Sequence, residues 1–193
     1  KEADTGEAAA GPTHSGFVAL IGAPNAGKST LLNKLVGVKV SIVSHKVQTT
    51  RSIVRGIVMH NNAQIVFIDT PGIFKPRRRL DRAMVTSAWG NAHDADIIFL
   101  LRHEALLALA AKANEICPFD ETFMISALKG AGCKDLLDYL AKTLPEGPWY
   151  YPEDQISDLP MRQLSAEITR EKLYLRLHQE LPYASHVETE KWE

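Results

Sequence analysis

The amino-acid sequence, 193 residues long, predicts an α/β fold in which a mostly parallel sheet lies between two layers of helices. Two observations support this prediction. Short apolar runs typical of buried strands alternate along the chain with segments of high helix propensity. The first apolar run, residues 17–21, is followed by a glycine-rich loop and then by a helix over residues 31–36. A strand, a loop and a helix in this order are the first unit of a three-layer α/β domain.

The composition is that of an ordinary globular protein, with 45% hydrophobic and 23% charged residues. A net charge of −1 gives no indication of nucleic-acid binding, and the apolar runs are too short to span a bilayer. The two cysteines, Cys117 and Cys133, have no paired Cys or His neighbours, so we expect no zinc site. Two thiols and no signal peptide indicate a reducing cytoplasm.

The predicted elements divide the chain into three regions. We expect residues 1–16 to form a disordered tail, residues 17–147 the α/β domain, and residues 148–193 a linker and the unfinished beginning of a second domain. Strands 53–59 and 64–68 form a hairpin around Asn61 and Asn62. The other predicted elements are helix 80–92, strand 96–101, helix 104–113, strand 122–125, helix 133–144, helix 159–179 and strand 185–192.

The glycine-rich loop, residues 22–30, has the sequence GAPNAGKST and fits the phosphate-loop pattern of Gly, four residues, Gly-Lys and Ser or Thr. Glycine lets the backbone curl so that N–H groups point at phosphate oxygens, and the following helix presents the positive end of its dipole. Lys28 reaches the β- and γ-phosphates, and Ser29 ligates Mg²⁺. We predict that a purine nucleoside triphosphate binds to Asn25, Ala26, Gly27, Lys28, Ser29 and Thr30.

A second strand end carries the sequence Asp69-Thr70-Pro71-Gly72. Nucleotide sites in α/β sheets lie at the carboxyl ends of strands, so this segment is predicted to converge on the same nucleotide. Asp69 can hold Mg²⁺ through water, and the N–H of Gly72 can approach a γ-phosphate. Alone, such a segment would be an ordinary β-turn, but downstream of a phosphate loop it indicates a nucleotide-dependent switch.

Several motifs together resemble the Era family of bacterial GTPases, within the TrmE-Era-like group, which assists assembly of the small ribosomal subunit. The motifs are residues 22–29, 48–51 and 69–72, Ser126-Ala127 before a Lys-Gly pair, and the passage from residue 159 to 172. The resemblance implies a three-layer P-loop GTPase domain, followed by the start of an α+β KH (type II) RNA-binding domain.

The resemblance also implies residue roles. Thr50 would complete the Mg²⁺ site in the triphosphate state. The catalytic residues would be Lys28, Thr50 and Gly72. Asn25 matches an asparagine that in some relatives helps to hold K⁺. The nucleotide set would further include Ser126, Ala127 and Leu128. Position 73 is Ile, where Ras-like enzymes have the Gln that orients water, so slow intrinsic hydrolysis is expected.

Two family features are absent from the sequence. The guanine-reading motif Asn-Lys-x-Asp does not occur between Gly72 and Ser126, and strand 96–101 runs into Arg102 without a turn residue. We expect that a strand–helix unit is missing at about Leu101/Arg102; the rival interpretation is a shortened sheet without base selection. The Gly-x-x-Gly loop of KH domains is also absent, and residues 148–193 contain five Lys/Arg against nine Asp/Glu.

The leading hypothesis is a monomeric, Mg²⁺-dependent GTPase that cycles between GTP and GDP. Its nucleotide state would control contact with small-subunit ribosomal RNA and the small ribosomal subunit, through the missing part of the KH domain. Two alternatives stay open: a nucleotide-gated ribosome-binding factor with negligible turnover, and an adenine-nucleotide ATPase. We expect a cytoplasmic location. The resemblance also leaves open a peripheral contact with the inner face of the cell membrane, although the sequence has no basic amphipathic helix to support it.

Overall fold

The computed structural model describes residues 11–44, 49–50, 53–72, 86, 90, 93–101, 119–177, 181 and 185–191. These residues form four strands and three helices, which in chain order are β1 (His14–Gly22), α1 (Lys28–Val36), β2 (Val54–His60), β3 (Ala63–Asp69), β4 (Ile97–Leu101), α2 (Cys133–Thr143) and α3 (Met161–Arg176).

The strands form one sheet in the order β2-β3-β1-β4. β1 pairs in parallel with both β3 and β4, and β2 pairs antiparallel with β3. All seven residues of β3 are buried, as expected when both faces of a central strand are covered. The predicted α/β fold with a mostly parallel sheet is therefore confirmed.

The hydrophobic core lies between the sheet and helices α1 and α2. α1 contributes Leu31 and Leu32, and α2 contributes Leu136 and Leu140, all close to fully buried. Gly56 in β2 is required by this packing, because a Cβ there would lie 2.5 Å from a Leu32 methyl carbon. The core thus holds α1, and with it the phosphate loop, against the sheet.

The β2–β3 hairpin turns at Asn61 and Asn62 as predicted. Asn61 has a φ of 53°, in the left-handed region that asparagine tolerates better than most residues. The register pairs His60 with Ala63, so the two turn residues join the strands directly.

Residues 148–158, which belong to the region predicted as a linker and the beginning of a second domain, pack along β2 and β3. The buried side-chain amide of Gln64 makes hydrogen bonds of the kind that the backbone of an adjacent strand would make. Its Oε1 accepts from the N–H groups of Tyr150 (2.8 Å) and Tyr151 (2.9 Å), and its Nε2 donates to the Tyr151 carbonyl (2.7 Å). Asp158 forms an ion pair with Arg55 at 2.7 Å. The path from the domain to α3 is thereby fixed to the sheet.

Three predictions of local structure are wrong. β1 begins at His14 instead of residue 17, so the predicted tail of residues 1–16 ends too late; His14 and its neighbours pair with β3. Residues 122–125 are not a strand, since among the described residues β4 has no neighbour beyond β1. Residues 185–191 are not a strand either; the carbonyls of Thr189 and Glu190 accept hydrogen bonds from Arg162 instead.

Other predictions fall outside the described residues or shift by a few positions. Helix 104–113 and all of helix 80–92 except residues 86 and 90 lie outside the described ranges. α1 begins three residues before the predicted start, and α3 is shorter at both ends than predicted. No helix in the described part of the chain is both long enough and apolar enough to cross a bilayer.

Candidate functional site

The phosphate loop, residues 22–30, connects β1 to α1 and contains three residues with positive φ, of which Gly22 is the last residue of β1. Asn25 has a φ of 61° and Gly27 a φ of 93°. Gly27 is the N-cap of α1, and its carbonyl accepts from Leu31 at 2.8 Å, so the helix begins at Lys28. The first N–H groups of the helix have no partner within the helix and lie at one end of the loop, as anion binding requires.

A cavity of about 730 Å³ lies over this loop. Most of the predicted site residues line it, which brings together segments far apart in the sequence. They are Asn25, Ala26, Gly27, Lys28, Ser29, Thr30, Thr50, Gly72, Ser126, Ala127 and Leu128. The lining also includes the apolar residues Phe99, Leu101, Phe123 and Ile125.

Lys28 is almost fully buried beneath the loop. Its Nζ donates to the carbonyl of Ala23 at 2.9 Å and to that of Gly22 at 3.2 Å. Burial lowers the pKa of Lys28, and the nearby carboxylate of Asp69 partly offsets this by favouring the ammonium form. Two loop carbonyls thus hold the ammonium group inside the loop. Because a neutral carbonyl is a weaker acceptor than an anion, the ammonium group can exchange these contacts for an anionic ligand.

Asp69 lies at the end of β3, fully buried, and its Oδ2 accepts two hydrogen bonds. Ser29 Oγ donates at 2.6 Å and Ser41 Oγ at 2.8 Å. Burial raises the pKa of Asp69, and the hydrogen bonds from Ser29 and Ser41 and the charge of Lys28 oppose this rise. The hydroxyl of Thr50 lies 3.2 Å from Ser29 Oγ. The hydroxyls of three residues, Ser29, Ser41 and Thr50, therefore meet one carboxylate beside the loop.

Gly72 lies directly against the phosphate loop. A Cβ at this position would be 2.7 Å from the nitrogen and 2.8 Å from the Cα of Pro24. Only glycine lets the two backbones approach so closely. The connection after β3 is also tied to β1, because the hydroxyl of the buried Thr70 donates to the carbonyl of Leu20 at 2.8 Å. The side chain of Thr70 thus faces the sheet, and Pro71 beside it is buried.

Sequence reasoning missed the segment that follows α1. Asn33 in α1 accepts from the N–H groups of Val40 and Ser41, both at 2.9 Å, and donates to the Ser41 carbonyl at 2.7 Å. Glu171 in α3 accepts from the N–H of Val43 at 2.9 Å and forms an ion pair with Lys39. No motif marks these contacts in the sequence, since they join residues that only the fold brings together.

The fold and the site together define a P-loop nucleotide-binding protein. A phosphate loop joins β1 to α1, and β3 brings a buried carboxylate to the same edge of the sheet, in the register Leu20 to Asp69.

Residues 17–129 match the family described as "50S ribosome-binding GTPase". The chain is 68% identical to the GTPase Era of Mesorhizobium japonicum, over 94% of this chain and 70% of that protein. It is 69% identical to the GTPase Era of Sinorhizobium medicae, over 96% of this chain and 71% of that protein. The chain belongs to the Era family of GTPases.

Structural similarity agrees with this assignment. The crystal structure of an Era in complex with MgGDPNP and nucleotides 1506–1542 of 16S ribosomal RNA superposes with a TM-score of 0.81. The two chains are 36% identical, and the match covers 89% of this chain and 70% of the other. The alignments to the two relatives extend over 216 and 221 positions, more than the 193 residues of this chain, so both relatives have residues that this chain lacks.

Proposed function

We propose that the chain binds GTP on the loop of residues 22–30 and hydrolyses it to GDP and phosphate as the switch of a ribosome-assembly factor. The observation that supports this most is the meeting of Ser29, Thr50 and Asp69 beside the loop, with Gly72 packed against it. Phosphoryl transfer needs a loop that binds the phosphates and, beside it, a group of residues that binds the metal ion.

The residues present fit Mg²⁺. Mg²⁺ prefers oxygen ligands and is usually bound by one or two protein groups together with waters and substrate phosphates. Oδ1 of Asp69 is buried and has no hydrogen-bond partner among the described residues, so it can accept from a metal-bound water. Ser29 and Thr50 would supply hydroxyl ligands. When bound, Mg²⁺ would neutralise the negative charge that develops on the phosphate oxygens.

The chain's own groups would position the triphosphate. Lys28 would leave the carbonyls of Gly22 and Ala23 for the phosphate oxygens, which carry full negative charge. The N–H of Gly72 would donate to the γ-phosphate. Loss of that phosphate would release Gly72 and Thr50 together, which is how a nucleotide switch changes state.

We further propose a role for Asn25 and for position 73. Asn25, which lines the cavity over the loop, would help to hold K⁺ near the phosphates. Because residue 73 is Ile, its side chain has no group that could orient the attacking water. Water would then be placed by backbone, cation or partner, and intrinsic hydrolysis would be slow.

We propose that recognition of the base needs a further segment, located near Leu101/Arg102, that this sequence lacks. Two observations support the absence of such a segment. The relatives align over more positions than the chain contains. On β4, Ile98 is 56% exposed and Leu100 is 42% exposed, although a β4 covered on both faces would bury them. Ser126, Ala127 and Leu128, which also line the cavity, would contact the base.

Residues 148–193 are proposed to begin a KH domain, with α3 as its first helix. A solved Era structure contains 16S ribosomal RNA, which supports small-subunit ribosomal RNA as the partner of the complete protein. We propose that the protein acts as a monomer in the cytoplasm.

The test is phosphate release from GTP in the presence of Mg²⁺. Lys28→Ala should abolish tight triphosphate binding and hydrolysis, because the loop loses its one buried cation. Lys34→Ala is the matched control, since Lys34 lies on the same helix but is exposed. Unchanged GTP affinity in Lys28→Ala would show that the phosphate-loop assignment is wrong.

A further inference from the structure

Ser41 is a buried polar residue that neither the phosphate-loop motif nor the Asp69 motif includes. It is 2% exposed and lies outside the lining of the cavity. Asn33 fixes its backbone on both sides, because the same side chain accepts from the Ser41 N–H and donates to the Ser41 carbonyl. With its backbone held in this way, Ser41 presents its hydroxyl to one acceptor, the carboxylate of Asp69, at 2.8 Å.

The two hydroxyls on Asp69 are not equivalent. Ser29 belongs to the phosphate loop, so its oxygen is shared between Asp69 and whatever binds beside the loop. Ser41 is tied to α1 through Asn33 and donates to Asp69 without lining the cavity. Its hydrogen bond therefore does not depend on the nucleotide.

The geometry of the carboxylate follows from this arrangement. Both hydroxyls donate to Oδ2, and Oδ1 has no hydrogen-bond partner in the described part of the chain. A buried carboxylate is costly unless hydrogen bonds compensate its lost hydration. Ser41 supplies one such bond and also fixes the rotation of the carboxylate, which leaves Oδ1 as the oxygen that can accept from a metal-bound water.

We propose that Ser41 is a positioning residue for the magnesium site: it orients the carboxylate of Asp69 without touching metal or nucleotide. This inference rests on the proposed function, in which Asp69 serves Mg²⁺. Groups that hydrogen-bond a metal-binding carboxylate typically change metal affinity about 10- to 100-fold when they are removed.

The experiment compares Ser41→Ala with Ser15→Ala. Ser15 is also 2% exposed, but its hydroxyl donates to the carbonyl of Pro148 at 2.7 Å, at the opposite end of β1. Each variant loses one buried hydroxyl of the same kind. The probe is GDP labelled on its ribose with an N-methylanthraniloyl group, whose affinity is measured as a function of Mg²⁺ concentration and also in EDTA.

For Ser41→Ala we expect the Mg²⁺ concentration at half-maximal effect to rise about 10- to 100-fold, with nucleotide affinity in EDTA unchanged. For Ser15→Ala we expect the wild-type Mg²⁺ dependence. A wild-type Mg²⁺ dependence in Ser41→Ala, or an equal shift in both variants, would overturn the inference alone. A wild-type protein whose nucleotide affinity ignores Mg²⁺ would overturn the proposed function and this inference with it.

Discussion

Gly72→Ala tests the contact between the phosphate loop and the segment that follows β3. The added Cβ would lie 2.7 Å from the Pro24 nitrogen, 2.8 Å from its Cα and 2.9 Å from its Cγ. Nonbonded heavy atoms are comfortable at about 3.5–4.0 Å, so the new carbon would overlap all three atoms by about half an ångström or more. Two of the three atoms belong to the backbone, so no side-chain rotation relieves the overlap.

The expected cost of this overpacking is about 1–3 kcal/mol in the free energy of unfolding. Because the loop and the segment must move apart, we also expect weaker binding of a GTP analogue, with GDP affected less, since the Gly72 N–H is proposed to meet the γ-phosphate. Urea unfolding and nucleotide titration measure the two effects. Gly147→Ala is the control, because its added Cβ would lie 3.4 Å from the nearest atom, Ser15 Oγ.

The reasoning would be refuted if Gly72→Ala unfolded at the same urea concentration as the wild type and bound both nucleotides equally well. That result would mean that the loop and the segment tolerate an added methyl group, so their close approach would not position anything. A loss of stability without any change in nucleotide binding would contradict only the proposed role of the Gly72 N–H.

Two further predictions concern contacts away from the loop. Glu171→Ala should speed hydrogen exchange of the Val43 amide, which loses its acceptor, whereas Glu171→Gln should retain much of the protection; equal exchange in both variants and the wild type would contradict the contact. The pKa of Asp138 is about 2, below the ordinary 3.8, because Lys134 and His60 donate hydrogen bonds to it. The stability that this carboxylate provides should therefore be complete above about pH 4 and disappear as the pH falls through about 2. Lys134→Ala should raise the pKa toward 3.8 in a carboxyl NMR titration, and an unchanged value would contradict the assignment.

The parts of the fold that the sequence predicted are those with local causes. The loop of residues 22–30 is defined by residues that act within one turn of chain, and each has a chemical reason to be there. The hairpin was predictable because Asn61 and Asn62 sit between two β-branched runs. The meeting of the two strand ends followed from a general property of parallel sheets and is observed in the pairing of Leu20 with Asp69.

The wrong predictions share a different cause, which is dependence on a partner. Residues 122–125 have the composition of a strand, but a strand forms only beside another backbone, and sequence alone does not show which backbone is available. Gln64 illustrates the reverse case. A polar residue inside an apolar run is buried because its amide replaces a strand in binding Tyr150 and Tyr151.

The residues proposed to contact the nucleotide or the metal were predictable from the sequence. The residues that hold them in place were not. Lys28, Ser29 and Asp69 belong to motifs whose spacing reflects phosphate and metal chemistry. Ser41 and Glu171 belong to none, and their partners are 28 and 128 residues away in sequence. Such contacts exist only because β3 and α3 pack against the segment that follows α1.

The most direct test of the account is a crystal structure of the protein with Mg²⁺ and a non-hydrolysable GTP analogue. We expect Ser29 Oγ and Thr50 Oγ1 at about 2.0–2.1 Å from the metal, with Asp69 Oδ1 accepting from a metal-bound water. Lys28 should have moved to the β- and γ-phosphates. A metal held away from Ser29 and Asp69, or Lys28 still bound to the carbonyls inside the loop beside an occupied nucleotide site, would contradict it.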